Sequence, residues 1–162
     1  MSRGSGGFWV PAISLVLTLA LGVLPLPDAL EPLRPEWAAV VLLYWSLMAP
    51  RRFSLLTAFW MGLAIDTLSG ALLGQNALAL LVIVYLADKF HLRLRVFPVS
   101  QLAITVFVLL CLHVFILFWI DGIAGRNVPL AERWVPPFTS TLVWLALLFL
   151  FGGAHREARA RL

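Results

Sequence analysis

The sequence predicts an all-α integral membrane protein that crosses the bilayer six times as a single transmembrane domain over residues 1–162. Of the 162 residues, 62% are hydrophobic and only 12% are charged, whereas soluble domains contain about 45–50% apolar and about 25% charged residues. The apolar residues form long runs, and a helix needs about 20 of them to cross a bilayer. These observations exclude a disordered chain and a nucleic-acid-binding domain, and the single cysteine excludes an intrachain disulfide.

The apolar runs give the helices in order. The first run, 8–24, carries no charge and no small-x-small cleavage site follows it, so we interpret it as an uncleaved anchor. The second, 37–49, is uncharged but short, and it spans only if it is extended into its flanks, to 35–49. The runs 98–120 and 136–154 are uncharged and long enough to span.

The remaining run, 53–89, is too long for one helix, because at ~1.5 Å per residue it would exceed a ~30 Å hydrocarbon core. Its centre, residues 69–76, is rich in Gly, Ser and Asn, which favour turns and helix ends. We therefore divide it into two helices. The six predicted spans are 8–24, 35–49, 53–70, 76–89, 98–120 and 136–154.

The distribution of positive charge predicts the orientation. With both termini in the cytoplasm, nine of the twelve Lys and Arg residues fall in cytoplasmic segments, as the positive-inside rule requires. A single span at 53–89 would reverse this bias. The net charge of +4 is then explained by topology and by contact with anionic membrane lipids, and no nucleic acid is expected as a partner.

Little in the sequence could carry chemistry. There is no Gly-rich phosphate loop, no Cys/His set with metal spacing and no Ser-x-x-Lys, so we expect neither an enzyme nor a cofactor. Asp66 is the exception, because a charge deep in a span costs at least ~2.5–3.5 kcal/mol unless it is satisfied. It could pair with His113, or accept hydrogen bonds near the outer turn from Thr67, Ser69 and freed backbone N–H groups. It could also line a proton or substrate path.

Two further segments have alternative interpretations. Gly70 and Gly74 form a G-x-x-x-G pair that permits close helix approach, but the same glycines suffice to end a helix and form a turn, which we favour. The proline-rich segment 25–37 should be stiff. It is either a tight connector on the membrane interface or a rigid edge for a partner helix.

The first half of the chain carries an ordered series of short motifs: Pro25–Asp28, Arg34–Trp37, Leu42–Trp45, Pro50-Arg51, Met61-Gly62, Asp66, Ser69-Gly70, Leu73-Gly74, Ala77-Leu78 and Tyr85. Their order and spacing over residues 25–85 resemble the MreD family of rod shape-determining membrane proteins in its proteobacterial form. Together with His113, the matching positions supply the candidate structural or partner-contacting residues. The candidates are Arg34, Pro35, Trp37, Tyr44, Trp45, Pro50, Arg51, Asp66, Gly70, Gly74 and His113.

The resemblance implies a non-enzymatic scaffold in the bacterial inner membrane that coordinates peptidoglycan synthesis with cell shape. It implies MreC as a partner, together with MreB, RodA and its class B transpeptidase. Because the chain is nearly all membrane and its loops are minimal, we expect it to bind through lateral helix contacts. The resemblance also implies a fold similar to the substrate-binding membrane subunits of energy-coupling-factor transporters. A small-molecule, vitamin-type transport subunit is therefore the alternative function.

Overall fold

The structure, a computed structural model, describes residues 6–24, 27, 33–48, 55–94, 98–126 and 133–160. This part of the chain is helical, which confirms the predicted all-α class, and it holds six helices of 12 to 25 residues. The six are α1 (Gly6–Val23), α2 (Trp37–Met48), α3 (Leu55–Ser69), α4 (Gln75–Leu94), α5 (Val99–Ile123) and α6 (Pro136–Ala160).

The predicted division of the run 53–89 is confirmed, because α3 ends at Ser69 and α4 begins at Gln75. Several predicted ends were too early. The helix α4 continues to Leu94 and α6 to Ala160, since the tail of α4 contains Leu and Arg and that of α6 contains Arg, Glu and Ala, which favour helix. The helix α5 continues to Ile123, which brings Asp121 into the helix rather than into the following loop.

The short helix α2 lies in the middle of the bundle. It contacts α1, α4, α5 and α6, and its apolar side chains are buried on nearly every side, as expected for a helix that is hydrophobic all round. Its 12 residues rise only ~18 Å, less than a ~30 Å hydrocarbon core. The hydrophobic core consists mainly of Val40, Leu42, Leu43 and Leu47 on α2, Leu80, Ile83 and Val84 on α4, Val106, Leu109 and Leu110 on α5, and Trp144 on α6.

The helices α3 and α4 form an antiparallel hairpin with the most extensive contact between any two helices of the described chain. Gly62 permits this contact. A Cβ atom at Gly62 would lie 2.2 Å from the Cα of Ala77 and 2.4 Å from its backbone nitrogen. Only glycine therefore allows the two backbones to approach this closely, a role that the sequence did not reveal.

The outer surface of the bundle is apolar. Among the described helices, α5 is long and apolar enough to cross a membrane, and shorter apolar segments lie in α1, α2, α3 and α6. Large exposed apolar side chains cover the outward faces, and a surface of this kind fits insertion into a membrane. They include Ile13, Val16 and Leu17 on α1, Leu56 and Trp60 on α3, Leu78 and Tyr85 on α4, Ile104, Val108, Phe115 and Trp119 on α5, and Phe138, Leu142, Phe149 and Leu150 on α6.

Candidate functional site

Asp66 lies in the last turn of α3, and only 1% of its surface is exposed. Its carboxylate faces the start of α4. Oδ2 accepts a hydrogen bond from the N–H of Gly74 at 2.8 Å, and Oδ1 accepts from the N–H and the side-chain amide of Asn76 at 2.9 and 2.8 Å. The carboxylate therefore caps the N-terminus of α4 from a neighbouring helix, where negative charge is also favoured by the helix dipole.

This geometry agrees with the prediction that Asp66 accepts hydrogen bonds from freed backbone N–H groups of the turn. The hydroxyl groups that were expected to help do not contribute. Thr67 donates instead to the carbonyl of Ala64 at 2.8 Å, and Ser69 donates to the carbonyl of Ile65 at 2.7 Å. Both hydroxyls thus bond within their own helix, a common alternative for Ser and Thr.

Gly70 and Gly74 form the turn between α3 and α4, as favoured from the sequence. Both have left-handed backbone angles, with φ values of 63° and 97°. Gly70 ends α3 in a Schellman arrangement, because the N–H of Ala71 bonds to the carbonyl of Asp66 at 3.2 Å. A Cβ at either glycine would meet nothing within 4 Å, so the alternative of a G-x-x-x-G helix contact is wrong for this pair.

His113 is 1% exposed in the middle of α5, and the predicted Asp66–His113 pair does not form. The oxygens of Asp66 are occupied by the turn, and neither ring nitrogen of His113 has a hydrogen-bond partner among the described residues. His113 is therefore a buried histidine of α5 that takes no part in the contacts of Asp66.

A second polar group joins three segments at the same end of the bundle as the α3–α4 turn. The amide Nε2 of Gln75 donates to Oδ1 of Asp121 at 2.7 Å, and Arg133 forms an ion pair with the other oxygen of Asp121. Together with Asp66 and Asn76, these residues are called the outer polar cluster below. The sequence interpretation missed Asp121 because it placed the residue in a loop. The sequence did offer a signal for this ion pair, because the opposite charges of Asp121 and Arg133 flank the connection between the apolar runs 98–120 and 136–154.

The proline-rich segment ends in contacts with α1 and α6. The guanidinium of Arg34 donates to the carbonyl of Leu21 at 3.0 Å and to that of Gly22, which caps the C-terminus of α1. The N–H of Glu36 donates to Oγ of Ser140 in α6 at 2.8 Å. These contacts fix the start of α2, and Arg34 has a structural role here.

The remaining predicted residues lie in or beside α2. Pro35 accepts a hydrogen bond at its carbonyl from the N–H of Trp37, the first residue of α2, at 2.9 Å. Tyr44 is buried and meets the ring of Trp45 edge-to-face at a centroid distance of 5.4 Å. The indole of Trp45 donates to Oγ of Ser14 in α1 at 2.9 Å. Pro50 and Arg51 lie outside the described residues.

The chemistry that these groups can perform is mainly structural. Within the described ranges, no group of three or more His, Cys, Asp and Glu residues could hold a metal ion. Each of the two buried carboxylates in the outer polar cluster accepts hydrogen bonds on both oxygens. The arrangement joins the ends of α3, α4 and α5 to the segment that leads into α6.

Comparison with known proteins gives a family match. A family model described as rod shape-determining protein MreD matches residues 3–151. The rod shape-determining protein MreD of Haemophilus influenzae is 36% identical over 88 residues, which is 54% of this chain and 54% of that protein. In this alignment the chain spans about half the length of the curated relative that it matches. No solved structure matches the chain.

Proposed function

The chain belongs to the MreD family of rod shape-determining proteins, and on that premise we propose that it is a non-enzymatic membrane scaffold that links peptidoglycan synthesis to cell shape. The match over residues 3–151 carries this proposal, since it covers nearly the whole of the 162-residue chain. A role in cell shape follows from the family. The scaffold mechanism is our inference from the surface and the polar groups of the bundle.

Lateral helix packing is the proposed means of binding. The polar side chains of the outer polar cluster are engaged with one another inside the bundle, so they leave few groups for a catalytic step. The outward faces of α1, α3, α5 and α6 present large apolar side chains instead. In lipid, helices associate through close packing and a few polar contacts, so these faces can hold the membrane helices of partners.

The proposed partners are those of the family's cell-elongation complex. They are MreC, a single-span protein with a periplasmic part, and the sidewall synthase formed by RodA and its class B transpeptidase. MreB is a further partner, reached at the cytoplasmic face. The similarity to energy-coupling-factor subunits stays a prediction.

The proposed topology has six spans with both termini in the cytoplasm, because nine of the twelve Lys and Arg residues then lie inside. Alkaline phosphatase fused after Arg126 should be active, since that loop is then periplasmic. The same enzyme fused after Leu94 should be inactive. Activity at Leu94 would contradict the orientation.

Depletion in a rod-shaped host tests the function. We expect the cells to become round while bulk wall synthesis continues, and a fluorescently tagged MreC and the sidewall synthase to leave the sidewall. Restoring the wild-type gene is the control. Cells that stay rod-shaped, with both partners still at the sidewall, would contradict the scaffold and favour the transport alternative.

A further inference from the structure

The turn that joins α3 and α4 has an unusual surface for a loop at the end of a helical hairpin. Its two leucines point outward: Leu72 is 45% exposed and Leu73 is 74% exposed. Leu68, one turn earlier on α3, is also exposed and continues the apolar surface of that helix. No charged residue occurs between Asp66 and Asp88. A tip of this composition is poorly suited to water.

Four of the six backbone N–H groups of residues 71–76 form hydrogen bonds within the hairpin. The N–H of Ala71 bonds to the Asp66 carbonyl at 3.2 Å, and that of Gln75 bonds to the Leu72 carbonyl at 3.0 Å. The Asp66 carboxylate accepts the N–H groups of Gly74 and Asn76. Water would satisfy such groups in an aqueous loop, but a non-helical backbone beside lipid must find its partners in the protein.

The length of the hairpin also places its tip near the apolar layer. From Gln75, the first residue of α4, to the exposed Lys89 there are 14 residues, which rise ~21 Å. A hydrocarbon core is ~30 Å thick, and a short apolar segment is accommodated by thinning of the bilayer around it. With Lys89 near the inner boundary, the tip therefore lies at the outer edge of the core.

From these three observations we infer that the α3–α4 tip is seated in the outer leaflet, with Leu72 and Leu73 against lipid acyl chains, and that Asp66 makes this position possible. The occupant of this surface is phospholipid. The inference rests on the topology given under the proposed function. The inference also explains why the carboxylate is buried there, because Asp66 supplies the hydrogen-bond acceptors that water cannot supply at the tip.

Cysteine accessibility tests the inference in the full-length protein. In a background with Cys111→Ala, single variants L73C and A124C are made, since Ala124 is exposed in the turn that follows α5. The purified variants are reconstituted in phosphatidylethanolamine–phosphatidylglycerol vesicles and treated with a charged, membrane-impermeant thiol reagent. We expect L73C to react at least about tenfold more slowly than A124C, because thiolate formation is suppressed in apolar surroundings.

The role of Asp66 is tested by adding D66L to L73C, with T67V as the matched control, since the Thr67 hydroxyl bonds only within α3. We expect D66L to raise the reactivity of L73C toward that of A124C, and T67V to leave it unchanged. Equal reactivity of L73C and A124C in the wild-type background would overturn the inference. Reactivity of L73C that rises as the protein is diluted into lipid would also overturn it, because a second copy would then be the occupant.

The topology is checked separately by labelling A124C in intact spheroplasts with the same impermeant reagent. A reactive A124C with a protected L73C supports both the topology and the lipid-seated tip. An unreactive A124C contradicts the orientation. A reactive A124C with an equally reactive L73C contradicts the seated tip and leaves the proposed function intact.

Discussion

Asp66 supplies the hydrogen-bond acceptors for the first turn of a helix to which it does not belong. The first N–H groups of a helix have no intrahelical partner. Just before α4, Gly74 has no side chain, and the side-chain amide of Gln75, the first residue of α4, is bonded to Asp121 instead. The carboxylate accepts hydrogen bonds from two backbone N–H groups and from the amide of Asn76. The need to cap the start of α4, eight residues later in the chain, therefore explains why a carboxylate lies deep in an apolar run.

The loss of stability on replacing Asp66 should depend on how many hydrogen-bond acceptors remain for the turn. Asp66→Asn keeps one oxygen for Asn76 but turns an amide toward the N–H of Gly74, whereas Asp66→Leu leaves all three donors unpaired. Each unsatisfied donor costs about 1–3 kcal/mol, so we expect a larger loss of thermal stability in detergent for Leu than for Asn. If both variants fail equally to support rod shape at normal protein level and stability, a charge-dependent role becomes the better account.

Gly62 gives a prediction with a control in the same chain. Gly62→Ala places a methyl group 2.2 Å from the backbone of Ala77, which forces α3 and α4 apart. Forced overpacking of this kind typically costs about 1–3 kcal/mol. Gly22→Ala in α1 meets nothing within 4 Å, so it should be neutral or stabilising by about 0.5–1 kcal/mol. Melting temperatures in one detergent measure both, and equal shifts would contradict the close contact.

At the scale of elements, the outer polar cluster joins the start of α4 and the end of α5 to the segment before α6. Asp121 is at its centre, with Gln75 on one oxygen and Arg133 on the other. A long connection follows α5, and the ion pair joins Asp121 before this connection to Arg133 near its end. The ion pair thus adds a polar contact to the apolar packing of α6 against α5, in which the ring centroids of Phe107 and Phe138 lie 4.9 Å apart.

A double-mutant cycle measures this contact. Asp121→Leu leaves Arg133 without its carboxylate, and Arg133→Leu leaves the carboxylate without its cation. Removing one partner of a buried pair costs up to ~3–5 kcal/mol, and the partial exposure of Arg133 reduces that value. We expect the double variant to be more stable than the sum of the single losses implies. Strict additivity in unfolding free energy would mean that the two side chains do not interact.

At the scale of the whole molecule, the bundle has an apolar interior and an apolar exterior. Small and aliphatic side chains pack around α2, while large aromatic and aliphatic side chains cover the outward faces of α1, α3, α5 and α6. Association in lipid is driven by packing and a few polar contacts, because lipid tails are as apolar as leucine. In the proposed function, the shape of the outward faces therefore selects the partner helices.

Tryptophan substitution on those faces tests lateral packing. Ile13→Trp, Leu56→Trp, Val108→Trp and Leu142→Trp each enlarge an exposed side chain on a different helix. We expect melting temperatures close to wild type, because surface substitutions usually change stability by about 0.5 kcal/mol or less. At least one variant should round the cells and weaken co-purification of MreC. Rod shape in all four strains would contradict lateral packing as the binding mode.

The sequence by itself determined the helical class, the division of the run 53–89 and the turn at Gly70 and Gly74, because hydrophobic run length and glycine chemistry are local properties. It also identified Asp66 as a buried carboxylate in need of partners. The tertiary structure decided which partners: Gly74 and Asn76 rather than His113. The contacts of Gly62 with Ala77 and of Asp121 with Arg133 were likewise decided by the tertiary structure. These contacts depend on how closely two helices approach and on which residues from separate segments meet. The periodicity of apolar residues within one helix does not encode either.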